Sequence, residues 1–173
     1  MTMAHATLGT LLRALIEQLD SAVAGAYADA GLDYKPRYTP IIRALAKRGP
    51  MRMKDIAVGI GVSHSAVSQS IGALVRGQWV ELRPGADSRE RIVHLTATAR
   101  ARLPLLRRHW AATAMAAASL DDDLGLCLEE VLRNALQALQ ARPFEARIRE
   151  ARTPRKTAPA RPAAARPGGR RPG

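Results

Sequence analysis

Apolar residues recur at helical spacing along most of the chain, and this pattern predicts a mainly α protein. Between residues 8 and 23 they lie three or four positions apart, which defines one face of a long helix, and Gly31 is expected to cap its C-terminus. Thr39 followed by Pro40 predicts the N-cap and first residue of a second helix. This helix is expected to end at Gly49-Pro50 and to bury Ile41, Ile42 and Leu45.

Two further helices separated by a tight turn are predicted next. The segment MKDIAVGIG predicts a short helix that ends at Gly61. Its residues Ile56, Ala57 and Ile60 are expected to face the core. Ser63 is expected to be the N-cap of a helix that runs to about Arg76 and stops at Gly77. The predicted packed face of this helix consists of Val67, Ile71, Leu74 and Val75.

A β-hairpin and another run of helices complete the pattern. WVELR and RERIVHL alternate as strands around the turn PGADS. Thr96 begins a long helix that Pro104 is expected to bend or restart, and Ser119 to Asp123 is typical of a helix N-terminus. LGLCLEEVLRNALQAL predicts the last amphipathic helix, and the Pro-, Ala-, Gly- and Arg-rich sequence from about residue 150 predicts disorder.

The predicted fold class is therefore mainly α with a small β-hairpin wing. Its segments are an N-terminal helix at 1–36, a winged helix-turn-helix module at 37–98, C-terminal helices at 99–145 and a basic tail at 146–173. The long apolar stripe of the first helix is expected to pack against distant helices or a second subunit.

Composition narrows the class of protein. The chain has 173 residues, 47% of them apolar, which suits one main domain. No apolar run approaches the ~18 residues of a membrane span, and the N-terminus lacks signal-peptide features. Cys127 is the single cysteine, which excludes an internal disulfide and is compatible with the reducing cytoplasm.

The net charge of +12 is unevenly distributed. Residues 37–110 contain fourteen basic and four acidic side chains, and residues 151–173 contain seven basic and none acidic. Residues 1–36 carry two basic and four acidic side chains, and residues 111–150 carry four and seven. Basic segments of this kind indicate a polyanionic partner such as nucleic acid.

The helix predicted after Ser63 has an unusual polar face. Ser65, Ser68, Gln69 and Gly72 share one side, and no acidic residue occurs between Asp55 and Glu81. Short uncharged side chains allow a helix to enter the major groove of DNA, where base edges display donors and acceptors. The alternative is an ordinary solvated face, which usually carries long charged side chains.

Several motifs together resemble the MarR (multiple antibiotic resistance regulator) family of bacterial transcription factors over roughly residues 8 to 140. In order, these motifs are Gly61-Val62-Ser63, Val67-Ser68, Leu74, Gly77 with Val80, Asp87-Ser88-Arg89 and Leu95-Thr96. The chain departs from the family pattern at Gln69, where Arg is frequent, at Gly72, and in its basic tail. The operator sequence therefore stays open.

The resemblance implies a homodimer, joined by its N- and C-terminal helices, that binds a pseudo-palindromic operator on double-stranded DNA. Most such proteins are repressors, and a small aromatic or anionic effector releases them. The candidate effector pocket comprises Tyr34, Tyr38, His109 and Trp110, each of which is also explained by packing. The expected location is the cytoplasm, at the nucleoid, with no membrane association.

The candidate DNA-binding residues form three groups. On the recognition helix they are Ser63, His64, Ser65, Ser68 and Gln69. On the wing they are Arg89 and Arg91, and the resemblance implies that Asp87 holds Arg89 in position. The phosphate-contact candidates are Arg52, Lys54, Arg76 and Arg83, any of which is alternatively a solvated surface charge.

Competing functions have weaker support in the sequence. GVSHS lacks the last glycine of the G-x-S-x-G motif, and the histidines at 5, 64, 94 and 109 lack metal-ligand spacing, so no enzyme, cofactor or metal is expected. Cys127 is expected to be a small buried residue rather than an oxidation sensor. An effector-independent architectural DNA binder that uses the module and the tail is the main alternative. A protein-interaction winged helix is a further one.

Overall fold

A computed structural model describes residues 6–85 and 90–152 and has the predicted fold class, mainly α with a small antiparallel sheet. The elements are α1 (Leu8–Asp29), a 3₁₀ turn (Pro36–Tyr38), α2 (Thr39–Arg48), β1 (Met51–Arg52), α3 (Met53–Ile60), α4 (His64–Arg76), β2 (Val80–Pro84), β3 (Arg91–Leu95), α5 (Ala97–Leu124), α6 (Leu128–Ala141) and α7 (Phe144–Arg152). Two compact units, residues 1–120 and 121–173, divide the chain near the end of α5.

Most helix ends in the first unit follow the predicted capping chemistry. Gly31 and Gly61 have positive φ angles of 69° and 70° and follow the last turns of α1 and α3, where a left-handed residue ends a helix at low cost. The Ser63 side chain accepts a hydrogen bond from the Ala66 amide at 3.3 Å, which confirms Ser63 as the N-cap of α4.

The start of α2 differs from the prediction. The N-cap residue is Tyr38, and Thr39 is already helical. The Thr39 hydroxyl does not cap the helix because it accepts a hydrogen bond from the Tyr34 hydroxyl at 3.4 Å and lies 3.5 Å from the Tyr27 hydroxyl. Tertiary contacts with two buried tyrosines therefore displace the local capping role.

The core of the first unit is built from the faces that the apolar pattern predicts. Ile41, Ile42 and Leu45 of α2 are buried, as are Ile56 of α3 and three residues of α4, namely Val67, Ile71 and Leu74. Val75 was wrongly assigned to the packed face of α4, because its side chain is 38% exposed. It lies one position beyond Leu74, where the helix turns away from the core.

The sheet has three strands in the order β1-β3-β2, all antiparallel, where the sequence predicts two. Val80 pairs with Leu95 and Pro84 with Arg91, and Met51 of β1 pairs with Val93. The return strand begins at Arg91, two residues later than predicted. A two-residue strand such as β1 is too short to produce an alternating pattern, so the sequence did not predict it.

Trp79 joins the wing to the helices of the first unit. Its indole N–H donates to the Asp33 carbonyl at 3.0 Å, and the Arg102 guanidinium lies 5.4 Å from its ring. The Thr96 hydroxyl donates to the Gln78 carbonyl at 2.7 Å and accepts from the Ala99 amide at 3.0 Å, which caps α5. These contacts fix the base of the hairpin against α5 and against the loop that follows α1.

Pro104 was expected to bend or restart the helix, and α5 does not restart there; the predicted helix start at Ser119 to Asp123 was wrong. The helix continues through Pro104, because Leu103 and Leu106 on either side are buried and hold both halves in the core. Residues 119–123 belong to the end of α5 rather than to a helix N-terminus. Asp121 nevertheless caps a helix, since its carboxylate accepts from the Leu128 amide at the start of α6 at 2.9 Å.

The second unit contains α6 and α7, and neither helix buries a residue. Helix α7 includes residues 146–152, so these residues are helical and the predicted start of the disordered tail at residue 146 was wrong; residues 153–173 lie outside the described residues. Cys127 is exposed at the N-cap position of α6, so its predicted burial was wrong. The carbonyl of Ala138 accepts a hydrogen bond from Arg147, which ties α7 to α6.

Within the described ranges, no single helix is both long and apolar enough to cross a membrane. The pair α3 and α4 passes that length and composition test together, with a bend of 115° between the two helices. Their apolar residues Ile56, Val67, Ile71 and Leu74 form part of the core described above.

Candidate nucleic-acid interface

Helix α4 displays the predicted polar face to solvent. Ser63, His64, Ser65, Ser68 and Gln69 are all exposed, while the opposite side of the helix is buried in the core. The Ser63 hydroxyl lies 3.3 Å from the Ser65 hydroxyl and also caps the helix, so it is partly committed to local bonding. Ser65 shares this bond, whereas His64, Ser68 and Gln69 form no side-chain hydrogen bond among the described residues and can offer hydrogen bonds to a ligand.

The electrostatics around this face favour an anion. Helix α4 contains no acidic residue and ends in Arg76, which is exposed, and Lys54 is exposed at the start of α3. Lys54 and Arg76 form no salt bridge within the described part of the chain. A negative ligand at α4 therefore meets the cationic Arg76 at the end of the helix and no carboxylate on α4 itself.

Two of the predicted phosphate contacts are occupied by carboxylates. Arg52 lies 2.9 Å from Glu90, and Arg83 lies 2.6 Å from Glu81, with all four side chains partly exposed. Exposed ion pairs contribute little to stability and exchange easily, so both arginines can still turn to a polyanion. The two carboxylates reduce the positive potential close to Arg52 and Arg83, although both are already included in the net charge of the segment.

The wing is described at its base but not at its tip. Gly85 donates its amide hydrogen to the Glu90 carbonyl at 2.9 Å, which closes the hairpin below the turn. Asp87 and Arg89 lie outside the described residues, so their predicted roles stay predictions. Arg91 is exposed opposite Pro84 at the end of the sheet.

The four candidate effector-pocket residues lie in or against the hydrophobic core. Tyr34, Tyr38 and Trp110 are buried, and His109 is half-buried with its ring 5.5 Å from the Tyr27 ring. Tyr34 packs edge-on against Tyr38 at 5.9 Å, and the Trp110 ring lies 5.1 Å from the Arg43 guanidinium. Packing explains the burial of these rings, although the buried Trp110 indole N–H has no hydrogen-bond partner among the described residues, and the effector pocket stays a prediction.

Tyr34 lies at the centre of an aromatic cluster that also contains Tyr27 and Trp79, two residues that the sequence did not single out for this region. The ring centroids of Tyr27 and Trp79 each lie 4.9 Å from that of Tyr34. Burial raises the pKa of the Tyr34 hydroxyl above its ordinary value, more strongly than the hydrogen bond to Thr39 lowers it. The hydroxyl is therefore neutral at physiological pH.

A crevice of about 340 Å³ lies beside α4, away from the aromatic cluster. It runs between the 3₁₀ turn, α2, the end of α3 and α4, and we call it the α2–α4 crevice. Its walls include Arg37, Pro40, Ile60, Val62, Gln69 and Ser70. Of these, only Gln69 was a predicted site residue, because the other positions carry no sequence pattern that distinguishes a wall from an ordinary surface.

The described residues contain no group of three or more His, Cys, Asp or Glu side chains that could hold a metal ion.

Comparison with known proteins identifies the module that carries this face. Residues 32–90 match the model of the MarR family. The winged-helix module belongs to the MarR family. The match covers the 3₁₀ turn, α2, β1, α3, α4, β2 and the sequence predicted to form the turn of the wing. No curated protein matched the sequence.

Solved structures extend the similarity of fold beyond the MarR module. A transcriptional regulator from M. tuberculosis, MOSR, in complex with DNA is 23% identical, covers 78% of this chain and 95% of its own, with a TM-score of 0.62. The PcaV regulator from Streptomyces coelicolor in complex with its natural ligand is 16% identical, with coverages of 80% and 96% and a TM-score of 0.62. A MarR family regulator from Neisseria meningitidis is 23% identical, with coverages of 83% and 95% and a TM-score of 0.53. At these identities the similarity concerns the fold.

Proposed function

We propose that this protein is a transcriptional regulator that binds double-stranded DNA in a sequence-specific manner as a homodimer. The observation that carries the proposal is the exposed, uncharged face of α4 in a MarR-family module whose flanking exposed residues include Lys54 and Arg76. A helix of this kind fits the major groove, and its short serines allow the close approach that base contacts require.

Each side chain of the interface has a distinct role in this proposal. The Gln69 amide bonds an adenine edge with its donor and acceptor together, and Ser65 and Ser68 bond base edges or the nearby backbone. His64 and the free amides at the start of α4 meet a phosphate, as the dipole of the helix favours. Arg89 and Arg91 of the wing follow the adjacent minor groove, with Asp87 orienting Arg89.

The phosphate contacts come from the basic side chains around α4. Lys54 and Arg76 are exposed and carry no carboxylate partner among the described residues, so they bind phosphate directly. Arg52 and Arg83 must first exchange Glu90 and Glu81 for phosphate, which makes their contribution smaller. These contacts position the module without selecting sequence.

Apolar faces that each unit leaves exposed support the proposed dimer. On α1, Leu8, Leu11, Ile16 and Leu19 are exposed, and on α6 and α7 the exposed set includes Val131, Leu136, Phe144 and Ile148. Apolar faces of this extent on a water-soluble regulator require a covering surface, and a second copy of the chain provides one. A two-fold dimer then matches half-sites about one helical turn of DNA apart.

Repression and release by a small aromatic or anionic effector complete the proposal. PcaV, which has a similar fold, was solved with its natural ligand, and MOSR was solved with DNA, which supports a regulator that binds both kinds of partner. Such a protein acts on the chromosome, in the cytoplasm and at the nucleoid.

The second candidate function is an architectural DNA binder that needs no effector. The seven basic residues and no acidic residue in 151–173 favour it, because a polycationic segment binds any duplex by releasing counterions. Deletion of 153–173 separates the two functions. After the deletion, a regulator keeps its sequence preference and loses affinity equally for all duplexes. An architectural protein loses most of its affinity and shows little sequence preference before or after the deletion.

A pair of matched substitutions tests the interface on α4. Ser68→Glu places a carboxylate on the face that is proposed to meet DNA, and Ser119→Glu adds the same charge at an exposed site on α5. By fluorescence anisotropy with a labelled duplex, Ser68→Glu is expected to weaken binding by about tenfold or more, through repulsion by nearby phosphates. Equal binding by both variants would show that α4 does not contact DNA.

A further inference from the structure

The α2–α4 crevice is continuous with the face of α4 that is proposed to read DNA. Gln69 is exposed on that polar face and also lines the crevice. Ala66, one turn earlier on the same side of α4, lines the crevice as well, and so does Val62, which precedes the N-cap Ser63. A base pair that Gln69 contacts therefore brings the neighbouring base pair close to this wall.

The wall next to Gln69 is apolar and accessible. Val62 is 45% exposed and Ala66 is exposed, and the core residues Ile41 and Val67 also line the crevice. In the major groove the C5-methyl of thymine is the one apolar group that a base pair displays, since the other recognition groups are hydrogen-bond donors or acceptors. An apolar wall at this place therefore favours thymine over cytosine, which lacks the methyl group.

The charge of the crevice suits a nucleic-acid strand. Among the described residues Arg37 is the only cationic one on the wall, and no acidic side chain lies there. Arg37 has no carboxylate partner in the described part of the chain, and its guanidinium donates to the Tyr38 hydroxyl at 3.5 Å and lies 5.3 Å from the Tyr38 ring. A guanidinium that is held in place but not neutralised can bind a phosphate of the strand whose base lies against the apolar wall.

We propose that the α2–α4 crevice receives the C5-methyl group of a thymine in the bound duplex, against Val62 and Ala66, while Arg37 binds a phosphate of the strand. This thymine lies directly beside the base pair that Gln69 contacts. A 5-methylcytosine carries the same methyl group, so the site also makes binding sensitive to methylation of cytosine at this position. The inference rests on the proposed function and adds the side chains that set one position of the preferred sequence.

Replacement of thymine by deoxyuridine tests the contact, because it removes only the methyl group. The probe is a labelled duplex that the full chain selects from a pool of random sequence, with each thymine replaced in turn by deoxyuridine. By fluorescence anisotropy, replacement of one thymine in a half-site is expected to lower the affinity by about threefold to fivefold, the effect of losing the burial of one methyl group. Replacement in both half-sites is expected to lower it by about tenfold or more.

Matched variants of the protein assign this effect to the crevice. Val62→Ser makes the wall polar and should bring the ratio of the affinities for thymine and deoxyuridine close to one. Val58→Ser, the same change at a residue of α3 that is 85% exposed and does not line the crevice, should leave this ratio unchanged. Ala66→Ser changes the same wall from within α4 and should act as Val62→Ser does. Arg37→Gln should weaken both duplexes by the same factor, because a phosphate contact does not depend on the base.

Addition of a methyl group to cytosine tests the same contact in the opposite direction. With a cytosine at the sensitive position, 5-methylcytosine is expected to bind about threefold to fivefold more tightly than cytosine, and Val62→Ser should remove this difference.

The outcomes separate this contact from the regulator function. If no deoxyuridine replacement changes the affinity, or if wild type, Val62→Ser and Ala66→Ser discriminate equally, the methyl contact is overturned and the regulator function stands. Failure of the full chain to bind any duplex would reject both.

Discussion

The exposed apolar face of α1 permits a direct test of the proposed dimer. Ile16 belongs to this face, and its side chain is 59% exposed in the single chain. Ile16→Glu replaces this apolar surface with a charge at the same position. If a second subunit covers α1, the substitution must weaken self-association.

The size of the effect follows from the exposed fraction. Full burial of an isoleucine side chain contributes about 1.5–3 kcal/mol, so burial of the fraction that Ile16 leaves exposed contributes about 1–2 kcal/mol. A two-fold interface contains the residue twice, which raises the loss to about 3 kcal/mol and the dissociation constant of the dimer by roughly 100-fold. Desolvation of the two carboxylates adds to this loss.

Sedimentation velocity over a range of protein concentrations measures the change, and circular dichroism checks that the helices persist. Ser21→Glu is the control, because Ser21 is exposed roughly on the side of α1 opposite the apolar face and receives the same charge. We expect Ile16→Glu to sediment as a monomer at concentrations where the wild type and Ser21→Glu are dimers. Unchanged sedimentation of Ile16→Glu would refute the inference that α1 is covered by a partner.

Three further predictions concern the interface and the core. Gln69→Ala should relax sequence preference at one base position and cost about 1–3 kcal/mol there, measured by competition between duplexes that differ at single positions; uniform weakening at all sequences would contradict base contact. Since burial raises the pKa of Tyr34 above its ordinary 10.0, the unfolded chain loses this proton first as pH rises, and the free energy of unfolding should fall above pH 10.0 by up to about 1.4 kcal/mol per pH unit. Tyr34→Phe should flatten that decline in urea unfolding, and an equal slope in both proteins would contradict the assignment. Gln78→Gly should raise the free energy of unfolding by about 0.5–1 kcal/mol in the same assay, because the φ of 58° at Gln78 is unfavourable for a residue with a Cβ but not for glycine. Any loss of stability would show that the Gln78 side chain is needed.

Local chemistry made much of the fold predictable. The roles of three capping residues follow from the sequence. The Ser63 side chain caps the start of α4, and the left-handed glycines Gly61 and Gly31 end α3 and α1, as each residue type favours by itself. The buried positions of α2 also follow, because helical periodicity fixes which side chains share a face.

The errors occurred where distant contacts override local preference. Thr39 is a favourable N-cap residue, but two tyrosines take its hydroxyl. Pro104 removes a backbone donor, but burial on both sides keeps α5 continuous. The turn after α4 places a positive φ at Gln78 rather than at Gly77, which no residue preference predicts.

The candidate site was predictable as a helix face but not in its surroundings. The serines and Gln69 of α4 are exposed as their spacing predicts. The pairing of Arg52 with Glu90 depends on how β1 meets the hairpin, and the α2–α4 crevice depends on how three elements converge around Arg37. Such features arise from packing and leave no periodic signal in the sequence.

Selection of duplexes by the full chain from a pool of random sequence, at near-physiological salt, tests the central claim most directly. If two copies of α4 read DNA from a dimer, sequencing of the bound fraction should recover a two-fold symmetric motif with half-sites about 10 base pairs apart. The same selection with Gln69→Ala should lose one position in each half-site. A bound fraction with the base composition of the starting pool would contradict the claim that α4 reads sequence.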